Sequence, residues 1–146
     1  MKNLSFDDGR QSFMVNNDPN RVIRFNPADP EIINRILNLQ EEFKGYQIPE
    51  GIELNPDGTP KNGMEKEGAY IAEFTSAMRK AFNSIFNADV YDKIFDGQSP
   101  LCIVNQRYLY EGVLESLKEL MEPAMEAYRE QNQKLAERMN KYLGDV

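Results

Sequence analysis

A mostly α domain with an N-terminal β-hairpin and a long C-terminal helix is what this sequence predicts, and three observations carry that expectation. Beyond residue 28, apolar residues recur at steps of three and four through long stretches. Near the start, two short runs rich in β-formers flank Asn16-Asn17-Asp18-Pro19-Asn20. Residues that cap helices or turn the chain stand at the joints between the periodic stretches. A chain of 146 residues suits one domain and buries roughly two thirds of its unfolded surface. Within it we distinguish a β-hairpin region (1–27), a helical core (28–121) with a 46–63 loop, and an extended C-terminal helix (122–146).

The hairpin is expected over 12–25, with Phe13 and Val15 on one face and Ile23 and Phe25 beside them. A lone two-stranded hairpin is marginal in water, so that face should rest on helices. Asp29-Pro30-Glu31 then supplies an N-cap, a proline at the first helical position and an acid in the first turn. Ile32, Ile33, Ile36, Leu37, Leu39 and Phe43 form the apolar face of that helix, with Gly45 as its expected C-terminal cap. Residues 46–63 hold Pro49, Gly51, Pro56, Gly58 and Pro60, which interrupt regular structure and predict a long surface loop.

A second helix follows on the stripe Tyr70, Ile71, Phe74, Ala77, Met78, Ala81, Phe82, Ile85 and Phe86. The stretch 87–108 concentrates Asp, Gly, Ser-Pro and the sole cysteine, and each unusual residue has a corner role. Asp89 is expected to cap a short helix with Val90, Tyr91, Ile94 and Phe95 inward. Gly97 ends that helix in the left-handed conformation, and Ser99-Pro100 caps the next one. Cys102, in the apolar run Leu101-Cys102-Ile103-Val104, reads as a small buried hydrophobe.

Composition narrows the function classes. With 40% hydrophobic residues, 8 Phe and 7 Tyr, the chain has the aromatics that disordered sequences lack. A net charge of −7 opposes binding to nucleic acid or an anionic membrane, which needs clustered Lys and Arg. The first residues contain no apolar signal-like segment, and no apolar run approaches the ~20 residues of a membrane span. A cytoplasmic protein is expected. The chain has no histidine, which removes the commonest general base and zinc ligand and rules out Ser-His and Cys-His arrangements. Asp92, Asp96 and Gly97 fit only fragments of a calcium loop, because Ile94 and Cys102 occupy positions that need oxygen ligands. Asn16, Asp18 and Asn20 likewise fail at Arg21 and Pro27. No enzyme activity, cofactor or metal is expected.

The C-terminal third carries the remaining signal. Tyr110, Val113, Leu114, Leu117, Leu120 and Met121 form an amphipathic helix, and Pro123 predicts a kink or restart near Glu122. Beyond it Met121, Met125, Tyr128, Asn132, Leu135, Met139 and Tyr142 alternate at steps of four and three, the seam of a coiled coil with Asn132 as a register-setting amide. Glu130 with Lys134 and Glu137 with Lys141 are spaced to support an exposed helix. Such a helix either lies on its own domain or pairs with a partner or a second copy. The residues expected to bind a partner are Met121, Met125, Tyr128, Leu135, Met139 and Tyr142.

The order of motifs adds a family resemblance. It comprises F-x-D-G-R-x-S-F-x-V (from Phe6), I-R-F-N-P-A-D-P (from Ile23), A-F-N-S-I-F (from Ala81), I-F-D-G-Q-S-P-L (from Ile94) and Y-E-G-V-L-E-S-L (from Tyr110). That succession resembles small tail assembly chaperones of siphophages infecting Gram-positive bacteria. In that group an F-G-G-x-N-P-like corner precedes the final helical segment, and Phe95-Asp96-Gly97-Gln98-Ser99-Pro100 stands at that place. The 46–63 loop departs from the pattern, where more continuous helix is expected. The resemblance implies a cytosolic, non-catalytic protein that coats the tape measure protein and gathers tail tube subunits around it, with a homo-oligomer left open. The alternative is a structural virion or head–tail connector subunit.

Overall fold

The computed structural model describes residues 1–44, 55–57 and 63–144, with side chains from residue 68 in the last of these segments. Strands β1 (Gln11–Val15) and β2 (Asp18–Phe25) form the expected antiparallel hairpin. Its turn is tighter than the five turn-forming residues suggest. Asn16 and Asn17 take φ of +50° and +60°, a two-residue turn whose twist matches that of the strands. The displaced residues go into a bulge. Met14 pairs with Val22 but Val15 pairs with Asp18, so Pro19, Asn20 and Arg21 have no partner on β1. Proline suits this place because no ladder hydrogen bond is required of it.

The bulge aims Arg21 across the molecule. Its guanidinium donates to the carbonyls of Lys93 and Ile94, each at 2.8 Å, and lies 3.9 Å from the Asp96 carboxylate. These carbonyls belong to α3 (Tyr91–Phe95), so a cation from the hairpin satisfies the negative end of a one-turn helix.

Helix α1 (Pro30–Lys44) starts as expected, with Asp29 Oδ1 accepting the Glu31 amide at 2.9 Å. Ile32, Ile36, Leu39 and Phe43 are buried, Ile33 is half-buried, and Leu37 is exposed because it lies at the edge of the stripe. The Gly45 cap and nearly all of the 46–63 loop lie outside the described residues. Helix α2 (Gly63–Phe86) buries Phe74, Met78, Phe82 and Ile85 and leaves Ile71 at the surface. Arg35 of α1 donates to the Ile85 carbonyl at 3.0 Å, so a second arginine satisfies a helix C-terminus from a neighbouring element.

The cap of α3 differs from expectation. Asp89 does not cap its backbone. Asn83, one turn before the end of α2, accepts the amides of both Val90 and Tyr91 at 2.9 Å and reaches Asp89 Oδ1 at 3.3 Å. One side chain thereby fixes the corner between two helices. Val90, Tyr91, Ile94 and Phe95 are all buried, and Asp96 (φ +49°) and Gly97 (φ +81°) end the helix in the left-handed region.

Ser99-Pro100 does not lead into a helix. It opens a second hairpin, β3 (Ile103–Val104) with β4 (Arg107–Tyr108), turning on Asn105 and Gln106 at φ +53° and +68°. Ile103 and Val104 are exposed and Cys102 is half-buried, so this run is a surface hairpin and not a core segment. The Leu109 amide donates to the Cys102 carbonyl at 2.7 Å and the Tyr110 amide to the Pro100 carbonyl at 3.1 Å, which stitches the corner to the start of α4.

Helix α4 (Leu109–Gly144) runs for 36 residues with Pro123 inside it, so it does not restart near Glu122. The core joins the hairpin, α1, α2, α3 and the first half of α4. Phe25 meets Phe13 at 4.8 Å and Phe86 at 5.0 Å, Phe82 meets Phe95 edge-on at 5.0 Å, and Phe43 and Phe74 close on Tyr110. Such pairs stabilise by ~0.5–1.5 kcal/mol beyond the burial of their area. Among the described residues, no helix is long and apolar enough to cross a membrane.

Candidate protein-binding surface

The six residues expected to bind a partner split into two groups along α4. Met121 and Met125 are 0% and 8% exposed and belong to the core, which corrects their assignment as a binding surface. Tyr128 is half-buried against the same core. The reason lies in placement: up to about residue 128 the apolar side of α4 has the core of α1 and α2 to lie on, and a buried methionine contacts its own domain. Beyond that point the helix runs past the domain. Leu135, Met139 and Tyr142 are 44%, 55% and 75% exposed, and every described residue from Arg129 onward is exposed.

This tail has few internal supports. Arg129 reaches back two turns to Glu122 at 2.8 Å, bridging Pro123, and both side chains are largely exposed. Neither Glu130–Lys134 nor Glu137–Lys141 closes as an ion pair among the described residues. Four apolar side chains, Leu135, Met139, Tyr142 and the unanticipated Leu143, therefore face water at helical spacing. Together they form a candidate interaction surface.

A second surface was not anticipated. Between the two hairpins and the first half of α4 lies a groove of about 500 Å³. Phe13 and Val15 form one wall, Val104 and Tyr108 the other, and Val113, Leu117 and Leu120 the floor. Arg107 stands at its edge, paired with Glu115. Met14, Ile103 and Tyr108 add exposed apolar side chains around it. The sequence signal was the apolar Leu101-Cys102-Ile103-Val104 run, whose place on a surface hairpin depends on a turn that Asn-Gln does not announce.

Electrostatics sharpen the contrast between the regions. Tyr110, at the start of α4 against Phe43 and Phe74, has its pKa raised by burial first and then by Glu111 and by the neighbouring Tyr108 and Tyr70. Tyr91 is raised by burial, partly offset by Arg79, whose guanidinium sits 4.4 Å from its ring centroid and pairs with Asp92 at 2.9 Å. A shallower cleft of about 370 Å³ separates α1 from α2, lined by Arg35, Glu42 and Lys80 among others. Among the described residues, no three Asp, Glu, Cys or His side chains gather closely enough to hold a metal ion. Comparison with protein-family models, curated proteins and solved structures finds no match.

Proposed function

We propose that this chain is a tail assembly chaperone-like binding protein that works without catalysis in the cytoplasm of a bacterial host. It holds apolar helical segments of the tape measure protein while tail tube subunits gather. The observation that carries this reading is the uncovered stripe of Leu135, Met139, Tyr142 and Leu143 on a helix that runs past its own domain. A helix face of this kind recognises another amphipathic helix through anchors at steps of three and four. The motif order from Phe6 to Leu117 supplies the biological setting.

The test is co-purification with a tape measure protein and a tail tube protein expressed together with it. The native chain should retain the tape measure protein, and a Leu135→Asp/Met139→Asp variant with an unchanged circular dichroism spectrum should release it. Equal retention by both proteins, or none by the native chain, would reject the reading. Stable presence in purified particles would favour the structural subunit instead.

A further inference from the structure

The molecule carries two matching apolar features that it cannot bring together by itself. One is the tail stripe, and the other is the groove floored by the first half of α4. Both belong to one continuous helix of 36 residues, about 54 Å long, so the tail points away from the groove along the axis they share. A second copy is able to reach it. We infer that two copies pair through antiparallel α4 helices about a twofold axis, each tail lying in the other copy's groove. This goes beyond the functional reading and does not rest on it: the pairing covers the same stripe, so it describes the free chain, from which a tape measure helix would displace the partner's tail.

Length and face both fit. The 16 residues of 129–144 extend about 24 Å and the groove floor from Leu109 to Leu120 about 18 Å. If Leu135 of one copy is set against the exposed Leu120 of the other, Met139 falls opposite Ser116 and Tyr142 opposite Val113, all three of them residues that line the groove. The helical period keeps these residues on one continuous side of α4. One contact satisfies both copies at once, which is the economy of a self-complementary interface.

Charge chooses the second copy and its direction. Residues 109–128 carry five acidic side chains and one basic, a net of −4, whereas 129–144 carry four basic and two acidic, a net of +2. The tail is thus a basic segment on a chain whose residues 1–128 sum to −8, from 13 basic and 21 acidic side chains. Parallel pairing would set −4 against −4. Antiparallel pairing sets +2 against −4 twice, with Lys134, Arg138 and Lys141 on the flank that faces Ser116 and Glu119 of the other copy.

Sedimentation equilibrium on the chain alone, at concentrations up to about 100 µM, tests the association without any tail protein present. The expected mass is twice 16.9 kDa, falling to 16.9 kDa for Leu135→Asp/Met139→Asp with its circular dichroism unchanged. The direction is read by disulfide capture in a Cys102→Ser background. Ser116→Cys copies mixed with Arg138→Cys copies should give a linked dimer, while neither variant links to itself. A native chain that sediments as a monomer, a dimer that survives the tail substitutions, or Arg138→Cys linking to its own kind would each overturn the inference. A native chain that forms the dimer but retains no tape measure protein would instead count against the functional reading alone.

Discussion

Residues 109–128 and 129–144 belong to one helix and repeat apolar side chains at the same steps of three and four, yet Met121 is fully buried and Tyr142 is 75% exposed. The periodic pattern does not distinguish them. What differs is whether other elements of the chain lie alongside. The first half has its core side covered by the rest of the domain and only its groove flank open, whereas the second continues beyond the domain. An amphipathic stripe therefore states that a face is to be covered, and leaves open whether the same molecule covers it.

The sharpest way to break this comparison is truncation of side chains on either side of the boundary. Phe82→Ala and Met121→Ala remove fully buried groups and should destabilise by ~3–5 and ~2–5 kcal/mol in urea unfolding. Leu135→Ala, measured at a concentration that keeps the chain monomeric, should stay within about 0.5 kcal/mol of the native value. Comparable losses at Met121 and Leu135 would mean that the tail is covered by its own chain.

Next comes the wall of the groove. Arg21 donates to two carbonyls from a largely buried position, so Arg21→Ala should cost ~1.5–3 kcal/mol by freeing the bulged hairpin from α3. The same variant should weaken self-association, because it loosens the wall without touching the tail. An effect confined to stability would show that the groove is not part of the interface.

Alkaline pH probes the covered half of α4 together with Tyr91 of α3 and Tyr70 of α2. The pKa of Tyr110 is raised in the folded chain, chiefly by burial, so its neutral form is favoured there. Its contribution to stability is complete below the ordinary tyrosine value of about 10 and is lost as pH rises through the higher folded value. Thermal melts should therefore fall above about pH 10, and Tyr110→Phe should melt with a shallower decline. Identical slopes for the two proteins would remove Tyr110 as a cause. The smallest effect is expected at the junction, where Arg129→Ala breaks an exposed pair with Glu122 and should change stability by less than about 1 kcal/mol.

Much of the body was legible beforehand. The hairpin, the Asp29-Pro30 start, the α2 stripe and the inward residues of α3 follow from short-range rules in which cap, turn and period agree. The misses share a physical origin. Asn83 caps α3 from the preceding helix, and such a contact lies outside any local motif. The second hairpin turns on Asn-Gln, a pair with no strong preference for positive φ, and its strands of two residues are too short to show alternation. Leu37, Ile71 and Leu120 sit at the margins of their stripes, where a shift of one neighbour decides burial. Of the expected binding residues, Leu135, Met139 and Tyr142 are exposed as required, while Met121 and Met125 are not, because the seam crosses the edge of the domain.

By itself the amino-acid order determined which faces are apolar, where α1 begins and α3 ends, and that the basic charge of α4 lies in its last turns, since each of these depends on neighbours a few residues apart. Tertiary structure alone decided which half of the apolar seam is already covered and that two hairpins and α4 enclose a groove. Those outcomes depend on residues distant in the chain meeting in space, as Arg21 meets the end of α3.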